Sequence, residues 1–283
     1  MCQSEYMVCG VSFRIVTEQA LPQIQLGNRF QTSLNEADIT IQVEAVPEIP
    51  VPAEGFCGNS GEERIWKTDE KIFRVTHDLF RHDAHIAIRY EVGNPAHAIA
   101  MIRAADWVWA ATAKYFWPGI GIHGLLLPFR TLIFHASYIG WQGEGLLFTA
   151  PSGVGKSTQA ELWRVHRGAE VLNGDKAGVR LEGRPMAYGV PFSGTSGICR
   201  NVSLPLRGIV VLSQAAENTI RRLLPSEAVA ALCPNVFVDS AVQEEWQMAV
   251  QLLLDLVSAV PVFALACTPD ESAVETLEAA LSR

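Results

Sequence analysis

The apolar run Gly145-Leu146-Leu147-Phe148-Thr149 leads directly into Ala150-Pro151-Ser152-Gly153-Val154-Gly155-Lys156-Ser157-Thr158. A short buried strand, a tight glycine turn and a helix must follow one another here, so the chain around them is read as α/β. The glycines let backbone N–H groups converge on phosphate oxygens at a helix N-terminus. Lys156 is placed to reach the β and γ phosphates, and the Ser157 hydroxyl to ligate Mg²⁺. Ala150 stands where the strict pattern has glycine; a small residue suffices if its φ is negative. ATP with Mg²⁺ is the expected cofactor pair, with GTP and pyrophosphate as open alternatives.

The 283 residues are 49% hydrophobic and 18% charged, enough apolar material for a sizeable core. A net charge of −8 disfavours phosphate backbones and anionic lipid, so neither nucleic acid nor membrane is an expected partner. Six scattered cysteines without a CxxC pair, and a start at Met1-Cys2-Gln3 with no basic-then-apolar segment, lead to the expectation of a cytoplasmic protein. The apolar stretch from Met248 to Cys267 is interrupted by Asp255 and Pro261, which divide it into a helix over 243–259 and a short strand at Val262–Ala266.

Up to about Tyr90, alternating runs such as Val11–Val16, Ile39–Val43 and Ile86–Tyr90 predict half-buried strands. Pro47, Pro50, Pro52, Gly55, Gly58 and Gly61 predict a surface loop among them. The spacing of Ile99, Ile102, Ala105, Trp109, Ala113 and Phe116 predicts a helix over 95–117, with Trp107, Trp109 and Trp117 read as packing residues rather than a base-stacking platform. These patterns divide the chain into a β-rich accessory domain, 1–95, and a nucleotide-binding domain, 96–283. His77, His82, Asp83 and His85 read as a polar turn rather than a metal site.

Phosphoryl transfer needs an acid beside the phosphates. Glu170-Val171-Leu172-Asn173-Gly174-Asp175 supplies one at the end of a short strand after the glycine-loop helix, whereas Ile209–Leu212 ends in Ser213-Gln214 without one. A glycine- and hydroxyl-rich loop, Tyr188–Asn201, follows, and Arg200 or Arg207 is a candidate to neutralise phosphoryl charge.

From about Leu132 to Val179 the chain resembles the HPr kinase family. Phe134-His135-Ala136, Ser152 to Ser157, and Val171 to Asp175 stand in the family's order: a strand ending in histidine, the phosphate loop, and an aspartate on the next strand. The resemblance implies a P-loop core of the kind shared with ATP-dependent phosphoenolpyruvate carboxykinases, with His135 near the phosphates and Asp175 as the base that activates a serine hydroxyl. The full expected set is then Asp175, His135 and Lys156 as catalytic residues. Ser152, Gly153, Val154, Gly155, Lys156, Ser157, Thr158 and Arg200 are expected around the nucleotide, and Ser157 and Asp175 on the metal. Gly174 stands where the family has a paired aspartate and Thr158 where it usually has glutamate. The family's glycine- and basic-rich C-terminal loop has no clear counterpart, and the β-rich beginning is unlike its usual N-terminal domain. HPr itself is therefore not the expected acceptor; a serine of a peptide or small protein, or a small molecule, is. The alternative from another class is a nucleotide-dependent binding or assembly module with slow or absent hydrolysis. The family's hexamers make an oligomer compatible with this reading.

Overall fold

A computed structural model describes residues 2–17, 27–60, 63–68, 70–77, 83–194 and 196–282. It is a mixed α/β structure of two compact units, residues 1–129 with 238–248, and residues 130–237 with 249–283.

Among the described residues the first unit is built on one sheet of eight strands: β1 (Cys2–Val8), β2 (Val11–Thr17), β3 (Ile39–Val46), β4 (Phe56–Ser60), β5 (Glu63–Lys67), β6 (Lys71–His77), β7 (Ala84–Glu91) and β8 (Asn94–Arg103). Their spatial order is β1-β2-β3-β8-β7-β6-β5-β4. The alternation read from the sequence becomes burial, as in β3, where Ile39, Ile41 and Val43 point into the core. Three short helices follow, α1 (Trp107–Ala110), α2 (Ala113–Gly119) and α3 (Ile122–Leu126). Gly61 and His82 lie outside the described residues.

The single helix expected over 95–117 is not formed. Residues 94–103 are β8, hydrogen-bonded to β3 and β7, and Ala98, Ala100 and Ile102 bury one face at strand spacing. Two waiting strands on either side satisfy more backbone groups than a helix there would, so tertiary pairing overrides the local period. The expected division at 95/96 shifts for the same reason, because it would cut through β8. Trp107 and Trp117 are buried, Trp117 edge-on to Tyr6 and Phe13.

In the second unit, β9 (Thr131–Trp141) and β10 (Glu144–Thr149) form a hairpin, and α4 (Lys156–Arg167) follows the glycine loop. Then come β11 (Glu170–Asn173), β12 (Lys176–Arg180), β13 (Met186–Tyr188), β14 (Ser203–Gln214), β15 (Thr219–Arg222), α5 (Pro225–Leu232), β16 (Val236–Phe237), α6 (Gln243–Ala259), β17 (Val262–Cys267) and α7 (Glu271–Leu281). The first residues of α6, to Met248, belong with the first unit. β10 lies parallel to β14 and antiparallel to β9, and β14 lies parallel to β17. Ala160 and Trp163 of α4 and Val274 and Leu277 of α7 pack with Phe148, Val210 and Leu265 from these strands. Gly168, in the left-handed region at φ 64°, ends α4 and turns the chain into β11. Among the described residues no helix is long and apolar enough to cross a membrane.

Candidate functional site

The buried strand β10 delivers Thr149 to the sheet edge, and the chain then turns over Ala150 to Gly155 into α4. Ala150 is buried and is not among the residues with positive φ, so it makes the turn without strain. Gly153 at φ 80° and Gly155 at φ 123° occupy backbone regions that a side chain disfavours. Among the described residues no backbone acceptor faces the Gly153 or Gly155 N–H, and no side chain caps α4. The first turn of a twelve-residue helix therefore presents uncapped donors and the positive end of its dipole. Such a terminus is complementary to an anion.

Lys156, 8% exposed, folds back so that its Nζ donates to the Ala150 carbonyl at 2.9 Å. Burial pushes the Lys156 ammonium down from its ordinary value, opposed by the nearby Asp175 carboxylate and assisted by the positive Lys176. Ser152, Ser157 and Thr158 are exposed and Val154 half-buried. Gln214, at the end of β14, directs its amide toward the Gly153 and Val154 carbonyls at 3.5 and 3.4 Å.

Asp175 is fixed by register. Lys176 opposes His135 across the β12–β9 pair, so both side chains stand together at the start of β12. His135 Nε2 lies 2.9 Å from Asp175 Oδ1, and Lys176 Nζ lies 3.0 Å from Asp175 Oδ2. Because an ionised carboxylate only accepts, the imidazole N–H is the donor. The His135 hydrogen bond, with Lys176 behind it, outweighs burial and holds the Asp175 carboxyl well below its usual range. The native pairing therefore adds stability above the ordinary carboxylate pKa and loses it as pH falls through the lower native value. A carboxyl ¹³C titration is expected to show no Asp175 inflection between about pH 3 and 5, where free aspartates titrate; a normal midpoint would dissolve the pairing.

The turn itself is held by Asn173, fully buried, whose Oδ1 accepts from the Asp175 and Lys176 amides at 3.0 Å and whose Nδ2 donates to the Val190 and Phe192 carbonyls. The loop that begins at Gly189 thus crosses the site. A Cβ at Gly194 would stand 2.9 Å from the Asp175 carboxylate, and one at Gly174 would collide with Ser196. Thr195 lies outside the described residues.

Arg200 is not brought here. It is paired with Glu170, at the far end of β11 from Asp175. Arg207 donates to the Leu281 carbonyl, lies 3.5 Å from Glu144 and sits over the Trp141 ring, at the end of β10 remote from the glycine loop. Neither guanidinium is brought to the loop: the exposed Arg200 takes the carboxylate at the start of β11, and the half-buried Arg207 is held by the Leu281 carbonyl and the Glu144 carboxylate at the start of β10. The sequence reading missed Lys176, Asn173 and Phe237. Lys176 directly follows Asp175, and in a strand adjacent side chains diverge; Asp175 sits in the turn before the alternation begins. Phe237 reaches the site through β16, which pairs with β9 on the side away from β12 and brings its ring 4.4 Å from Lys176 Nζ.

The donors suit Mg²⁺. The Ser157 hydroxyl is exposed and engages no protein group among the described residues, and each Asp175 oxygen keeps a lone pair beyond its single partner. A different cluster lies in the first unit, where ligand atoms of Glu63, His123 and Asp239 fall within 4.8 Å of one another. There the Arg74 guanidinium already engages both carboxylates.

The family described as SynChlorMet cassette protein ScmC matches residues 126–282, more than half of the chain. Among solved structures, the Hpr(Ser) kinase/phosphatase from Coxiella burnetii is similar at 12% identity and a TM-score of 0.30, over 52% of this chain and 94% of that one. No curated protein matches in sequence.

Proposed function

The chain belongs to the family described as SynChlorMet cassette protein ScmC, and from that premise together with the loop's geometry we propose that it is an ATP-dependent phosphotransferase with a P-loop core. The observation that carries this is a lone ionised aspartate, Asp175, held beside a buried loop lysine whose charge it offsets, next to an uncapped helix terminus. The amides of Gly153 and Gly155 and the Lys156 ammonium would hold the triphosphate tail. Ser157 and Asp175 would hold Mg²⁺, which neutralises charge on the β and γ phosphates when bound. The acceptor hydroxyl would give its proton to Asp175 as its oxygen bonds the γ-phosphorus and the bond to the ADP oxygen breaks. His135 orients the carboxylate through its 2.9 Å hydrogen bond. The acceptor class is a serine of a peptide or small protein, or a small-molecule hydroxyl. The setting proposed for this chemistry is the cytoplasm, and HPr kinase assembly makes an oligomer compatible with it.

One observation favours the second reading, a nucleotide-dependent binding module: both Asp175 oxygens are engaged by nitrogen donors, and a carboxylate so held is a weak base. Calorimetry with Mg·ATP, followed by incubation with labelled ATP and lysate peptides, separates the cases. Heat of binding with label transferred to an acceptor supports the phosphotransferase. Binding with label only in ATP and ADP supports the module, and no heat at all removes both.

A further inference from the structure

A single loop lysine is little positive charge for a transferring phosphoryl group, whose oxygens gather charge as the reaction proceeds. The two arginines that the sequence offers are committed elsewhere, Arg200 to Glu170 and Arg207 to the Leu281 carbonyl. Among the described residues another cation stands by the loop. Lys176 is close enough to Lys156 for its charge to oppose that of the loop lysine, and its Nζ lies 3.0 Å from Asp175 Oδ2. The Phe237 ring lies 4.4 Å from the same Nζ, giving the ammonium an apolar wall rather than a second anion. Its side chain is 19% exposed, so it is not sealed from solvent.

We propose that Lys176 is a second phosphate-binding cation, whose ammonium transfers from the Asp175 carboxylate to the terminal phosphate of a bound nucleoside triphosphate. This deepens the phosphotransferase reading and rests on it. The physical argument is competition between anions: a γ-phosphate carries more charge than one carboxylate and presents several acceptor oxygens. The four-carbon stem of lysine lets Nζ swing while the backbone stays in the β12–β9 ladder. The exchange has a consequence for order. With ADP the Asp175 Oδ2 stays capped by Lys176, whereas with the triphosphate it is released to face an acceptor hydroxyl. A device of this kind couples the base to the presence of the group to be transferred. The residue is specific to the γ position, which distinguishes it from Lys156 and the loop amides.

The test is calorimetry in magnesium buffer with two probes, AMP-PNP and ADP, on the parent chain, Lys176→Met, Lys176→Gln and Lys176→Arg. Loss of one charge-assisted contact to the γ-phosphate is expected to weaken AMP-PNP about tenfold or more in the Met and Gln variants. ADP affinity is expected not to fall, which also shows that the variants are folded, and Lys176→Arg is expected to recover most of the AMP-PNP affinity. If AMP-PNP and ADP weaken together in both neutral variants, or neither weakens, Lys176 does not bind the γ-phosphate and the inference is overturned while the nucleotide reading stands. A parent chain that binds neither probe overturns both.

Discussion

Arg74→Met is expected to destabilise the first unit by about 3–5 kcal/mol, the cost of removing one partner from a buried charge network. Arg74 is fully buried on β6. Its guanidinium pairs with Glu63, Asp239 and Glu245, and its Nε donates to the Tyr90 hydroxyl at 2.9 Å. Tyr90 in turn donates to Glu245 at 2.8 Å, and the His123 ring meets Asp239 at 2.9 Å. Despite burial, the surrounding anions keep the arginine firmly charged, and burial holds the Tyr90 hydroxyl protonated well above its ordinary range. Methionine fills a similar volume, so the loss is electrostatic: three carboxylates would be left facing one another without a cation. The space is also sterically closed. A Cβ at Gly124 would stand 2.8 Å from the Tyr90 hydroxyl and 2.9 Å from Arg74 Nη2, so α3 approaches the network only because that position is glycine. Denaturant unfolding followed through tryptophan fluorescence measures the change. A loss below about 1 kcal/mol, the range of exposed pairs, would mean that the network is solvated rather than buried.

Asp175→Asn is expected to lower phosphoryl transfer by about 10²–10⁴-fold, the usual contribution of a positioned proton acceptor. The amide matches the carboxylate in size and can still accept a hydrogen bond from His135, but it cannot take a proton from a hydroxyl. Nucleotide affinity should change far less, because the loop amides and Lys156 remain, although the metal would lose an anionic ligand. Loss of transfer with retained Mg·ATP binding supports the base role. Transfer at the parent rate, once an acceptor is in hand, removes Asp175 from the chemistry whatever else it does.

Much of the second unit was legible because its signals are local. The strand into the loop, the helix over 156–167 and the strand over 170–173 match β10, α4 and β11, and Gly168 closes the helix where the chain turns. The helix and strand on either side of Pro261 also appear, as α6 and β17. The failures are equally instructive. Residues 95–103 have a helical spacing of Ile99 and Ile102 that is equally satisfied by Ala98, Ala100 and Ile102 on a strand, and only the neighbouring strands β3 and β7 decide between them. Arg200 pairs with Glu170, thirty residues earlier, which lies beside it once β11 is laid down.

The amino-acid order alone determined the glycine turn into α4, because glycine conformational freedom and the start of a helix are set by neighbouring residues. It also put His135 before the glycine loop and Asp175 after the helix that follows it. Tertiary structure alone decided which cation meets Asp175 and what surrounds Arg74. The register of β12 against β9 chose Lys176, and the carboxylates of residues 63, 239 and 245 converge on Arg74 from distant parts of the chain. Charge pairing depends on distances in space, and those are fixed only when strands far apart in sequence have found their partners.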